Sequence, residues 1–400
     1  MRTEPRAAQV FGFLFISILL RSTISFAHSI DTEFDQVFQL SERQDVLMAE
    51  NPKYDSPLDV EKYAVAPSQL ELEQVHIYVR HGERTPVGIR LTGPPANLPE
   101  HWMMCKTARR LQASVNGSGI DGILDEFQQA RRIVERADGT HREGECMLGE
   151  LTDLGRKLWQ VSSRDLCRQV VPNVLKSSST NCLIRIARLG LLPNILQNTE
   201  TVYFRTTNVP RTTESLQQII HGLYPTSKCY PQAIPPIFVR NGRDENLLGN
   251  AGSCKRLEIL LVGFAQAAAS AYNHTLEPLD KKLSKYIDGR PVRVDGKPRA
   301  SGILDTIRAA TAHNIKVPSE FEEKGVMDII EKAVVAEWFS GYKTDEVRRL
   351  GMGRLLDDLA TKMQQKVAQG DRDPLKIAVH STHDTALAGL TSTLDVFDDK

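Results

Sequence analysis

The sequence predicts an α/β protein: a sheet whose strands are separated by long helical stretches, with insertions forming a second, helical lobe. Three observations point there. Short stretches at "VHIYV" (75–79), "TVYFRTT" (201–207) and "LKIAV" (375–379) show the alternating pattern of strands. Long stretches between them read as helix, above all 241–370, which is the pattern of an α/β sheet with helical insertions. With 400 residues, the chain exceeds the usual size of one compact unit, so two subdomains are expected.

The N-terminus opens with Arg2 and Arg6, followed by an apolar run from Val10 to Leu20, Arg21, and "SFA" at 25–27. This is a secretory signal pattern over 1–27, cut after Ala27, with an uncleaved anchor or a mitochondrial presequence as the alternatives. The run is too short for a stable membrane span. Residues 28–68 are polar and read as an N-terminal extension. The remaining 69–400 form one catalytic-type domain, with the core at about 69–98, 148–240 and 371–400 and the cap at about 99–147 and 241–370. Two glycan acceptor triplets, at Asn116 and Asn273, agree with export. So do six cysteines, an even set that allows up to three disulfides in any of fifteen pairings.

Hydrophobic residues make up 41% and charged residues 25% of the chain, ordinary globular values. Basic and acidic residues number 50 each, so no global basic field draws nucleic acid, and anion binding has to be local. No cysteine lies in a metal-ligand spacing, and neither metal nor cofactor is expected; the oligomeric state is left open.

Strand one runs directly into "RHGERTP" (80–86). "LTGPPANLP" (91–99) follows as a loop. "GELTDLGRKLWQVSSRDLCRQVV" (149–171) suits a helix capped by Thr152. A turn at Asn208-Val-Pro leads from strand two into the helix "RTTESLQQIIHGLY". The clearest cap helix is "GMGRLLDDLATKMQQKVAQG", with Met352, Leu355, Leu356, Leu359 and Met363 on one face and Gly370 as its stop.

All three strands end in basic groups: Arg80-His81 with Arg84, then Arg205, then His380 with His383-Asp384. In open α/β sheets ligands sit at the carboxyl ends of strands. Guanidinium forks match phosphate oxygens in two-point geometry. A phosphate cradle follows, in which neighbouring cations keep the His81 ring unprotonated and able to attack phosphorus. Asp384 is the candidate general acid. Arg211 reads as a supporting contact at its helix start. His76, His313 and His380 read as structural. Trp338-Phe339 is most simply a buried helix stripe, with a lipid-contacting surface as the alternative.

These residues resemble the histidine acid phosphatases, a branch of the phosphoglycerate mutase-like (histidine phosphatase) superfamily. "RHGERTP", "GELTDLG", "VYFRTTNVPRTTES" and "HSTHDTALAGL" are similar to four blocks of that family, in family order, across 75–390. The resemblance implies a phosphomonoesterase with His81 as nucleophile, Asp384 as proton donor, and Arg80, Arg84, Arg205 and His383 as phosphate binders. It implies no metal, and a phosphoglycerate mutase-like mixed α/β core under a helical cap. A softer resemblance, through "RTPVGIRL", "WMMC" and "LDTIRAATAHNIKVP", is to the lysophosphatidic acid phosphatase-type members. The substrate is then a small phosphomonoester, with a lysophospholipid or an inositol phosphate as the classes considered. The rivals are a phytase, a mutase, and an inactive homologue that only binds phosphate ligands. The chain ends at Lys400, shortly after Asp384, where family members continue, so a truncated C-terminus is expected.

Overall fold

The computed structural model describes residues 70–107, 110–112, 129–159 and 191–396. The signal and extension readings over 1–68, the Asn116 triplet, Cys167, Cys182 and most of the 149–171 helix lie outside the described residues.

Four strands form the core sheet: β1 (Val75–Arg80), β4 (Val202–Thr206), β5 (Ile237–Phe238) and β6 (Ile377–Thr382), in the order β1-β6-β4-β5. All of these pairings are parallel. A separate antiparallel pair joins β2 (Arg110–Gln112) and β3 (Gln129–Arg131). The register places Arg80 beside Thr382, and Arg205 beside His380. Alternation then sorts the side chains by face. Ile77, Val79, Val202, Phe204, Ile377 and Val379 pack as one apolar cluster with Trp159 of α1 (153–159) and with Leu216, Ile219 and Leu223 of α2 (Pro210–Leu223). Pro210 takes the first position of α2, where its fixed φ suits a helix start and its missing N–H costs nothing. Tyr78, Tyr203, Arg205 and His380 lie on the opposite face.

The remaining helices are α3 (Lys255–Leu283), α4 (Ala300–Ala312), α5 (Lys324–Phe339), α6 (Asp345–Gln369) and α7 (Asp384–Thr393). Thr344 caps α6 through the Val347 N–H, and Gly370 ends it with φ at 56°. A second core gathers Trp102, Leu276, Leu279, Ile303, Ile307, Ile330 and Val334 beneath α3, α4 and α5. A third joins Leu257, Tyr342, Met352, Leu355 and Leu390. A disulfide links Cys105 to Cys146, while Cys229 and Cys254 are free thiols. The Asn273 amide donates to Asp295 and accepts from the Val294 N–H, each at 2.9 Å, so it clamps a loop from within α3. Among the described residues no helix is long and apolar enough to cross a membrane, and no three His, Cys, Asp or Glu side chains group as a metal site.

Candidate active site

The turn after β1 is built by close backbone approach. The His81 N–H donates to the Thr382 carbonyl at 3.0 Å, and the Gly82 N–H donates to Ser215 Oγ at 2.9 Å. A Cβ on Gly82 would lie 2.7 Å from the Gly155 carbonyl, and one on Gly155 would lie 2.2 Å from the Glu83 carbonyl. The glycines of "RHG" and "TDLG" thus touch back to back, which fixes where the turn stands. The Thr152 N–H and hydroxyl reach the same Glu83 carbonyl, and that hydroxyl also bonds His313 of the cap at 2.8 Å.

His81 is buried, and its Nδ1 meets the Gly82 carbonyl at 2.9 Å. A carbonyl only accepts, so Nδ1 carries the hydrogen and the neutral ring keeps its lone pair at Nε2. Burial, then Arg80 and Arg84, hold this imidazole well below the usual histidine range. In this neutral form Nε2 is the ring atom free to bond an electrophile.

The structure brings Arg80, His81, Arg84, His383 and Asp384 together. Arg80 Nε donates to Asp384 at 3.2 Å. The His81 and His383 rings stand edge to face, 5.6 Å between centroids. Arg84 uses Nη1 on the Thr85 carbonyl at 3.0 Å and on Asp305 of α4 at 2.7 Å, while its Nε is buried without a partner.

Arg205 does not join them, which corrects the sequence expectation. It sits level with His380, two residues short of Thr382, where the sheet's edge lies. Its guanidinium is fully buried and donates to Glu245 (2.6 Å), Asn246 (2.6 Å) and Asp358 (3.3 Å), leaving only Nε unpartnered. At Arg80's level β4 has already given way to Thr207, whose hydroxyl pairs with His383 Nε2 at 3.0 Å. The third guanidinium of the cluster is Arg211, in the first turn of α2. Burial and then Arg84 and Arg80 lower its basicity, the mark of crowded positive charge, and its Nε is buried with no partner. Sequence reasoning had demoted Arg211. The overlooked signal was its place at the start of the helix that follows a strand, where side chains return to the sheet's carboxyl edge and anions are favoured.

Burial pushes the Asp384 carboxyl up, but the charge and hydrogen bond of Arg80, the Thr385 N–H and Arg84 outweigh it, so its pKa lies below the ordinary value. Burial, then Arg211, lowers His383 to about 4. His76 and His380 lie on the far face of the sheet. His76 bonds Gln74 at 2.8 Å, and His380 stacks on Tyr78 at 4.4 Å.

The cluster opens into a cleft of about 2820 Å³ between sheet edge and cap. Arg80, His81, Arg84 and Asp384 line one end, and Leu304, Val334, Val335, Trp338, Phe339 and Leu387 supply an apolar wall. Trp338 and Phe339 are half-buried and face this space. Two cations of the cleft carry their own carboxylates: Arg308 with Glu331 at 2.5 Å, and Arg299 with Glu337 at 3.5 Å. The arrangement can grip one tetrahedral anion against an imidazole, with a carboxyl beside it.

Residues 71–400 match the family model described as "Histidine phosphatase superfamily (branch 2)". A probable acid phosphatase of Schizosaccharomyces pombe is 36% identical over 342 residues, which cover 83% of this chain and 70% of that protein. A probable acid phosphatase of Dictyostelium discoideum is 24% identical, covering 86% of this chain and 64% of that protein. Among solved structures, the apo form of Hafnia alvei phytase aligns with a TM-score of 0.49 at 15% identity, covering 83% of this chain and 77% of that one.

Proposed function

The chain belongs to the histidine phosphatase superfamily (branch 2), and on that premise we propose that it hydrolyses phosphate monoesters through a phosphohistidine on His81, with Asp384 as proton donor. One observation carries the reading: a buried, neutral imidazole, tied back at Nδ1, stands among three guanidinium groups with a carboxyl at its side. His81 Nε2 attacks phosphorus, so a P–N bond forms as the ester P–O bond breaks, and the departing oxygen takes the Asp384 proton. Water then attacks the phosphohistidine and gives its proton to the Asp384 carboxylate. Inorganic phosphate leaves and His81 is restored. Arg80, Arg84, Arg211 and His383 hold the phosphoryl oxygens, whose charge they stabilise in the transition state.

The proton on Asp384 has a source. In the free protein Arg80 keeps this group ionised. A bound phosphate draws on Arg80 and loosens that hold. A monoester monoanion, whose second pKa is about 6, brings the missing proton with it.

For substrate class, the apolar wall beside the cradle favours a monoester on a hydrophobic residue, a lysophospholipid before an inositol polyphosphate. The signal-like 1–27 segment and the Cys105–Cys146 disulfide support a secretory route. Phosphate release from an aryl phosphate, a lysophosphatidate and phytate tests the reading, with His81→Ala as control. The aryl and lysophospholipid esters are expected to turn over and phytate to lag. Loss of His81 is expected to lower kcat by at least about 10³-fold. Phosphate binding without turnover in the unaltered protein would defeat the proposal.

A further inference from the structure

Asp305 belongs to the cap helix α4, yet its carboxylate sits inside the cradle. Oδ1 accepts from Arg84 Nη1 at 2.7 Å, Oδ2 accepts from the Val87 N–H at 3.0 Å, and Arg90 lies 3.7 Å from Oδ2. The Arg84 and Asp305 side chains are only 12% and 16% exposed, so solvent screens this pair weakly. Nothing in the hydrolysis described above uses it. Around His81, Arg80, Arg84 and Arg211 supply positive charge, which Asp384 and Asp305 offset. With Asp384 protonated for catalysis, one phosphate dianion brings these five groups to neutrality.

We infer that Asp305 is a resident counter-ion of the phosphate site: carried in by α4, it sets the cradle's charge to suit a single phosphate. Arg84 has donors for both anions. Asp305 occupies Nη1, and the buried Nε of Arg84 has no partner, so this guanidinium still has a donor to give. Substrate and Asp305 therefore compete for the charge of Arg84 and share its donors. Weakened affinity serves turnover, since the product is itself an anion that has to leave.

This rests on reading the cradle as a phosphate site, so binding of inorganic phosphate is measured by calorimetry on the full chain, apart from turnover. Asp305→Asn, which removes the charge at nearly constant shape, is expected to tighten phosphate about tenfold. Product inhibition deepens in step, and kcat falls with KM. Asp305→Glu keeps the charge and is expected to stay near the unaltered protein. His313→Ala loosens the same helix from Thr152 without touching a charge in the cradle, and phosphate affinity is expected to hold. Should the asparagine variant fail to fold, Asp305→Ser removes the same charge with less bulk. Unchanged or weaker phosphate binding in the charge-free variant overturns the inference, as does a His313→Ala variant that tightens binding equally. Absence of phosphate binding in the unaltered protein overturns the cradle reading itself.

Discussion

Arg205 and Arg211 lie in one short motif, yet one is sealed beneath the sheet among carboxylates and the other stands beside the arginines of the cradle. Arg205 has its charge met by Glu245 and Asp358 and both Nη groups engaged by those carboxylates and Asn246, with only Nε unpartnered. Around it, on the same face, Arg240 also pairs with Asp358 at 2.7 Å, and Lys362 lies 4.2 Å over the Tyr203 ring. Arg211 sits among Arg80 and Arg84 with a buried N–H unspent. A satisfied guanidinium holds structure together, whereas a crowded and unsatisfied one waits for an anion. Residue type and motif cannot separate these roles; the account of partners can.

Substitutions at the two positions should give opposite signatures. Arg205→Met leaves Glu245 as a buried, uncompensated charge and is expected to cost about 3–5 kcal/mol of stability by denaturant melts, with phosphate affinity unaltered in the folded fraction. Arg211→Met is expected to leave the melts nearly unchanged or slightly improved, since like charges are relieved, while kcat/KM falls about 10²–10³-fold. If Arg211→Met proved the destabilising change and Arg205→Met the inactivating one, the assignment would be reversed.

Acid sharpens the contrast. His76 is lowered to about 4 by burial and then Lys362, and His380, whose two ring nitrogens have no partner, is held well below its ordinary range by burial and then His76. Both are neutral when folded and take up protons more readily when unfolded, so stability is lost as pH falls from about 6.5 towards 4. The loss is at most about 3 kcal/mol for His76. His380→Phe is expected to flatten the dependence of melting temperature on pH. At the cradle the same direction of pH helps: kcat/KM is expected to decline above about pH 6 as the ester loses its second proton. A profile of kcat/KM against pH that rises through neutrality would remove Asp384 from its role.

The smallest expected effect concerns placement. Gly155→Ala sets a methyl against the Glu83 carbonyl and shifts the 80–84 turn. A fall of about 10- to 100-fold in kcat is expected, with Arg205's network unaltered and about 1–3 kcal/mol of stability lost.

The three strands and the helix ending at Gly370 were readable from period, and the motifs named five residues that the structure gathers at one sheet edge, although that helix packs on the core sheet through Asp358 and Lys362 and does not belong to the cap. Strand alternation alone was not enough for Arg205, because the parallel register that sets it two residues below the edge depends on how β4 meets β6, a pairing between distant segments. Asp305 was illegible for the same reason: its partner Arg84 is 221 positions away. The Cys105–Cys146 link likewise had no local signature among the fifteen pairings.

β6 lies between β1 and β4, and no other described strand joins those two. The Arg80–Asp384 contact spans 304 positions along the chain. The turn that carries His81 and the helix start that carries Arg211 therefore share an edge only because 377–382 pairs with both of their strands, so a defect in that one central strand separates the two halves of the cradle.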